Sequence, residues 1–411
     1  MVHTGGEVFS DSSVLELIQG QKDGLDLLSW NGKSAKMAGQ FVREAETFVP
    51  LCIDPSILRA MRFPSKTAKY GSTRKLFAEI TSLIARATQV GDSVVLPLAF
   101  FVFATWLADC LPVAPFVWMM SPPTTTAAPL RQLLSLLCRR AFFLSDISSA
   151  RFQSLPMDLH PTLLGEVFQP TQRVLNMLHA STRHGTFVTA GGKAVDAYCS
   201  KIIFAREPLR DPARAGYPFE TVLPPAREYV PPMSASEAER IASEFQAKLL
   251  QYRLFNWAKV RAPAFDMNQF TVPMREVAYS LAASITDDNE LQAQIVPFLQ
   301  PRDREIRADR ASLLPAIVLE VLLARCHGNN DKNFPVTEMT GYVNTVLRGR
   351  GETLEVSPER VGWTLRILGF HTGCLTGGRK GLLLLNDVCE KIHDLAAAYG
   401  VRTLREASRE N

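Results

Sequence analysis

The 411-residue chain lacks most of the patterns that announce a chemistry. Its seven cysteines (Cys52, Cys110, Cys138, Cys199, Cys326, Cys374 and Cys389) are odd in number and widely spaced, and no C-x-x-C pair occurs. That excludes a zinc ribbon and a disulfide framework, and reads as reduced thiols in a cytoplasmic protein. The seven histidines are scattered, with no H-E-x-x-H motif, and no G-x-S-x-G elbow is present. His179 and His184, five apart, match no standard metal spacing, and His160 before Pro161 reads as structural. No metal site is expected. Net charge is also scarce. Forty-five Lys and Arg against 41 Asp and Glu leave +4, so any basic surface must be local.

Unbroken apolar runs are missing too. The most apolar stretch, residues 94–120, contains Asp109, Pro97, Pro112 and Pro115, whereas a spanning helix needs about 20 uninterrupted apolar residues. It reads as a buried helix over 98–110 and a buried strand over 114–120, and no membrane partner is expected. The opening "MVHTGGEVFSDSS" is polar, without an apolar signal core.

What is present is an ordinary globular composition, 46% hydrophobic and 21% charged, in four expected regions. Residues 1–90 read as an N-terminal helical region with a polar leader; Leu76, Ile80, Leu83 and Ile84 form a helical stripe over 73–88. Residues 91–228 alternate short apolar runs (116–120, 141–145, 162–167, 186–190, 201–205) with helical runs such as 130–140 and 171–180, the signature of a parallel sheet covered by helices. Residues 229–330 read as a helical lid subdomain. It opens at "YVPPMSASEAER" with a capping-box spacing, Ser236 to Glu239, then presents Ile241, Phe245, Leu249 and Tyr252 on one face. After the polar linker 327–335, residues 331–411 form a compact last module.

That module carries the clearest positive signal. A helix over about 337–347 ends near Gly349 or Gly351. A second begins at Ser357, an N-cap, with Pro358 at the first helical position, and stops at Gly369. "HTGCL" and "GLLLL" flank "TGGRK", a Gly-Gly turn of hairpin type. A closing helix spans 386–399. Helix, helix, hairpin, helix is the order of a winged helix, whose second helix enters the major groove while the hairpin touches the backbone. The candidate DNA contacts are Arg348, Arg350, Arg360, Trp363, Arg366, Arg379 and Lys380. The local excess of basic residues is small, so a winged helix used for protein contacts stays open beside DNA.

"VWMMSPPTTTAAPL" (117–130) has the layout of a phosphate loop: strand, turn, helix. The motif G-x-x-x-x-G-K-[ST] cradles phosphates with glycine-freed amides, reaches them with its lysine and holds magnesium with its hydroxyl. Laid on this chain, the glycine positions are Ser121 and Thr126, the lysine position is Ala127 and the hydroxyl position is Ala128. Pro122 and Pro123 remove two N–H donors. Thr124, Thr125 and Thr126 keep hydroxyls able to hydrogen-bond an anion. The acidic strand end that should hold magnesium is "HPTLLGEVFQP" (160–170), with Glu166 as its lone acid between Gly165 and Val167. Two motifs fail together while their strands stay apolar, so the site reads as vestigial: no catalytic residue, no ATP or magnesium cofactor.

"FATWLADCLPVAPFVWMM", "HPTLLGEV", "LNMLHASTRHGTFV", "SKIIFAREPLRDP" and "SPERVGWTLRILGF…GGRKGLLLL" together resemble bacterial and phage helicase-like P-loop ATPases. These are related to the motor part of primase–helicases, and some end in a winged helix. The resemblance spans roughly residues 45–400. It implies an α/β fold: a degenerate P-loop NTPase-like parallel sheet with N-terminal helices, a helical lid and a C-terminal winged helix. Relatives would carry an intact glycine–lysine loop at 121–128 and an acidic pair at 165–167; both departures imply lost hydrolysis. Arg183 and His184 read as a solvated loop, and Arg206, Arg210 and Arg214 lie where such motors place sensor or finger arginines. The function expected is a catalytically inactive helicase-like protein that binds DNA through the winged helix, a scaffold or regulator in replication, mobile-element or defence processes. A nucleotide-dependent motor with an aberrant loop and a protein-interaction adaptor are the alternatives. Protein partners and self-association are left open.

Overall fold

The computed structural model describes residues 1–20, 24–121, 127–190, 193–209, 218–225, 230–328, 332–352, 355–375 and 377–401. The chain forms two compact units, Met1–Gln300 and Pro301–Asn411.

The first fifty residues are strands, not the helices expected there: β1 (Val2–Thr4), β2 (Gly6–Val8), β3 (Val14–Gln19), β4 (Leu25–Trp30), β5 (Ala35–Ala38), β6 (Phe41–Arg43) and β7 (Glu46–Pro50). β2-β3-β4-β5 is an antiparallel meander, and β1-β7-β6 forms a second sheet. The period-2 pattern that would announce β3 is absent because Val14, Leu15, Glu16, Leu17 and Ile18 are all buried. Helices follow only from Pro55: α1 (Pro55–Ala60), α2 (Thr73–Thr88), capped by Ser72, and α3 (Asp92–Trp106). α2 buries the expected stripe. α3 is buried on nearly every side, including Pro97 and three phenylalanines (Phe100, Phe101, Phe103). No single helix among the described residues is long and apolar enough to cross a membrane.

The centre of the first unit is a five-stranded parallel sheet: β8 (Phe116–Met120), β9 (Ala141–Leu144), β10 (Thr162–Val167), β13 (Lys201–Ala205) and β14 (Phe219–Val222), in spatial order β14-β8-β13-β10-β9. α4 (Ala128–Leu137), α5 (Ser149–Gln153) and α6 (Gln172–Ala180) connect the first four. The expected strand at 186–190 is not in this sheet. β11 (Phe187–Ala190) pairs antiparallel with β12 (Lys193–Asp196) as a separate hairpin between β10 and β13. β14 takes the fifth place instead.

α7 (Ala235–Asn256), α8 (Val272–Ala282), α9 (Asn289–Ala293), α10 (Val296–Ser312) and α11 (Leu314–Gly328) form the helical stretch. α7 is capped by Ser234, which accepts from the Glu237 amide at 3.2 Å, two residues before the expected cap at Ser236. The last unit also starts earlier than residue 331. Ile317, Leu319 and Leu322 of α11 belong to its core, with Phe334 of β15 (Asn333–Pro335), a strand in what reads as linker. α12 (Val336–Gly349), α13 (Pro358–Ile367), the β16 (Gly373–Cys374) and β17 (Lys380–Leu383) hairpin, and α14 (Asn386–Tyr399) complete it. Ser357 caps α13, and Gly369, at φ 75°, ends it in the left-handed region that glycine occupies without penalty.

A buried ionic cluster joins the first unit's layers. Glu16 of β3 accepts from Arg139 at 2.8 and 2.9 Å, from Arg140, and from Arg253 of α7 at 2.7 Å. Arg253 also holds Asp109 at 2.6 Å and the Trp106 carbonyl at 2.8 Å. Burial alone would raise the Glu16 carboxyl, but the three guanidiniums outweigh it and hold it down to about 2. Arg140 is lowered too, to about 10, through burial and then the like charge of Arg139, yet stays protonated at neutral pH.

Glu16→Gln is expected to destabilise the fold by about 3–5 kcal/mol in urea unfolding, because it strands buried guanidiniums. The carboxyl is lowered in the folded state, so its contribution is complete above its ordinary 4.5 and is lost as pH falls toward 2. The wild type should weaken across that window more steeply than the variant. Lys201 is the converse case. It is 0% exposed, its Nζ has no hydrogen-bond partner, and burial lowers its pKa. Lys201→Met should therefore stabilise the protein at neutral pH, and the gain should vanish as pH rises through 10.5.

Candidate functional site

In an open parallel sheet, ligands bind beyond the carboxyl ends of the strands, where outgoing chains part. β8 leads past β13 and β10 to the edge strand β9, whereas β13 leads back past β8 to β14. The chains part between β8 and β13. Ser121 stands there, its amide donating to the Ala205 carbonyl at 2.7 Å, and the Trp118 indole N–H reaches the Glu207 carbonyl at 3.1 Å. Ser121 and Ala127, the described residues on either side of the stretch that resembles a phosphate loop, thus stand at the carboxyl end of β8 and just before α4. Ser121 is half-buried, Ala127 is buried just before α4, and Ala128 is exposed on its first turn. Thr124, Thr125 and Thr126, with Pro122 and Pro123, lie outside the described residues, as do Arg210 and Arg214.

The acid of this edge is already occupied. Glu166 of β10 is bound at 2.7 Å by the Arg131 guanidinium, which projects from the first turns of α4 and lies 5.0 Å from the Phe143 ring and 5.9 Å from that of Phe204. A fixed cation stands beside the carboxylate that a nucleotide site would turn toward magnesium. Arg131 is a residue that sequence reasoning missed; its only trace is one charge amid the apolar α4. The positions flanking Glu166 are closely packed. Val167 is buried, and a Cβ on Gly165 would meet Ile147 Cδ1 at 2.2 Å and Ile203 Cδ1 at 3.1 Å. Gly165 is there because a neighbouring isoleucine fills the space of a side chain.

Three further side chains named from the sequence have partners. Arg206 lies 4.7 Å over the Phe168 ring. Arg183 pairs with Glu276; His184 pairs with Asp196 at 3.2 Å and stacks on Tyr198 with ring centroids 3.7 Å apart. Both belong to a half-exposed loop, as expected, but one tied down by partners. No group of three or more His, Cys, Asp or Glu among the described residues is placed to hold a metal ion.

The last unit differs in its electrostatics. α13 buries Val361, Thr364 and Leu365 and turns Arg360, Trp363, Arg366 and Ile367 outward. Trp363 is 51% exposed, with the Arg360 guanidinium 4.8 Å over its ring. Arg379 and Lys380 are exposed where the hairpin turns through Gly377 and Gly378, at φ 91° and 77°. None of these four cations has a carboxylate at ion-pair distance among the described residues. Arg350 does not share that freedom: it is bound to Glu320 of α11. Arg348, on the last turn of α12, is exposed and reaches the Asn344 carbonyl at 3.4 Å. β15 pairs with β17, so the hairpin is the outer part of a three-stranded sheet, β15-β17-β16.

No family model matches the chain, and no curated protein matches it. Solved structures similar to it include the apo C-terminal region of NrS-1, at 12% identity over 90% of this chain and 97% of that one, with a TM-score of 0.36. A full-length MCM homologue from Methanopyrus kandleri shows 12% identity over 70% and 76%, at 0.38. Drosophila ORC bound to DNA shows 12% over 80% and 87%, at 0.18. Scores this low leave the fold to be judged on its own strand order.

Gly165→Asp, the change that would recreate an acidic pair, is expected to lower stability by about 3 kcal/mol or more, read as a urea midpoint, through overpacking against Ile147 and burial of a charge. Pairing it with Ile147→Ala should recover part of the loss.

Proposed function

We propose that this is a DNA-binding protein built on a helicase-like phosphate-loop sheet that no longer processes nucleotide. The binding element is the last unit, read as a winged helix: α13 enters the groove and the β16–β17 hairpin touches the backbone. The observation that carries this reading is the set of exposed cations, Arg360, Arg366, Arg379 and Lys380, on α13 and the hairpin tip, which have no carboxylate at ion-pair distance among the described residues. At the sheet's carboxyl edge Glu166 and Arg131 are paired with each other, whereas these cations face solvent, and phosphate is the anion a duplex presents at regular spacing. Loss of nucleotide processing is supported by Arg131 on Glu166 and by alanine at the lysine position, since phosphoryl transfer depends on positioned cations and magnesium. The chain would then act as a scaffold or regulator on DNA.

Fluorescence anisotropy with a labelled duplex tests this directly. Affinity should fall steeply with salt, with a log–log slope near −0.9 per phosphate neutralised. The Arg360/Arg366/Arg379/Lys380 alanine variant should flatten that slope by about 3.6 and weaken binding by about 100-fold or more at low salt. Salt-independent binding, or unchanged binding by the variant, would sink the proposal. Fluorescent ATP with magnesium should show no micromolar association; saturable micromolar binding would restore the reading of a motor with an aberrant loop.

A second reading has its own observation. Trp363 and Ile367 are four apart on α13 and 51% and 53% exposed, the spacing by which a helix face docks into an apolar groove. In an adaptor, Trp363→Ala/Ile367→Ala would abolish capture of a protein partner while the four cations could be removed without effect.

A further inference from the structure

Cys326 and Cys389 are 63 positions apart in the sequence, yet their sulfurs are 3.3 Å apart, the Cys326 thiol donating to Cys389. They lie on α11 and α14, half-buried against the core of the last unit. The other cysteines have no such neighbour: Cys52 and Cys374 are exposed, Cys138 and Cys199 are buried, and Cys110 donates to Asp109 at 3.9 Å. Next to the pair in sequence, His327 and His393 meet edge to face with ring centroids 4.9 Å apart, and His393 is one turn along from Cys389 on the same helix.

We propose that Cys326 and Cys389 form a modification site, a dithiol that a hydroperoxide oxidises to an intramolecular disulfide. The hydrogen bond sets the order of events. Cys326 keeps its proton, since desolvation and the neighbouring sulfur disfavour its thiolate, so Cys389 attacks first. Its thiolate sulfur bonds to one peroxide oxygen, the O–O bond breaks, and the leaving alkoxide or hydroxide takes up a proton. Cys389 is then a sulfenic acid. Cys326 gives up its proton and its sulfur bonds to that of Cys389; the S–O bond breaks and water leaves. Two thiols and one hydroperoxide thus yield one disulfide, one alcohol (or a second water) and one water. The sulfurs need only close from 3.3 Å to about 2.05 Å.

The consequence follows from which residues the bond encloses. The ring from 326 to 389 contains α12, α13 and the hairpin, and with them every exposed cation from Arg348 to Lys380. Closing it removes unfolded conformations of that whole segment without touching its outer surface. The modification is independent of the DNA-binding reading and would hold for an adaptor equally.

The test uses the full-length protein and hydrogen peroxide at low molar excess. Free thiols should fall from seven to five, the chain should become two hydrogens lighter, and a non-reducing digest should join the peptides of Cys326 and Cys389. The melting transition of the last unit should rise by about 5 °C or more and return with dithiothreitol. Cys326→Ser should leave a sulfenic acid on Cys389 that dimedone traps; Cys389→Ser should leave Cys326 unlabelled. Oxidation that links chains to one another, joins other cysteines, or spares this pair while Cys52 and Cys374 react would overturn the proposal. If either variant fails to fold, the wild-type digest decides alone.

Discussion

Everything in the first unit is arranged around one buried carboxylate. Glu16 is inaccessible to water and binds three arginines from two other layers: Arg139 and Arg140 at the joint between α4 and β9, and Arg253 on α7. A charge in that position is tolerable only with all its partners in place. The N-terminal meander, the parallel sheet and the long helix therefore share one geometric condition. Asp109 divides the attraction of Arg253, which draws the end of α3 into the same knot. Hydrophobic contacts would hold such layers together in many alternative registers; an ionic cluster of this kind accepts few.

The two units use the same residue type in opposite ways. At the sheet's carboxyl edge, Arg131 and Arg206 are spent on Glu166 and the Phe168 ring. On α13 and the hairpin tip, Arg360, Arg366, Arg379 and Lys380 are exposed, without carboxylate partners among the described residues. A guanidinium already satisfied inside the protein offers little to a phosphate, because the exchange returns about what it removes. This contrast moves attention from the place where a nucleotide enzyme would work to the far end of the chain. It also separates Arg350 from its neighbours, since Glu320 holds it.

Local patterns proved readable, and contacts between distant residues did not. Four parallel strands are legible as short apolar runs between helical ones, and α2, α13 and α14 are legible from stripes, Ser357, Pro358 and Gly369. The first fifty residues are not. A strand buried on both faces, such as β3, loses the alternation that marks strands, and its one polar residue, Glu16, looks like a surface position until Arg253 arrives from 237 positions away. β11 has the composition of a core strand yet pairs with β12, because pairing is decided by the partner and not by the run itself. At the sheet edge, the absent lysine and the lone Glu166 are visible as letters. The reason for Gly165 is not, because Ile147 reaches it from another segment.

The seat of Ile147 over Gly165 has a directional consequence. Ile147 Cδ1 occupies the volume of the missing side chain, so any residue larger than glycine at 165 meets a filled space. A single substitution at 165 is penalised before it can confer anything, and trimming Ile147 alone opens a void with no return. Each change is harmful without the other. The two positions are coupled, so a larger residue at 165 and a smaller one at 147 are best introduced together.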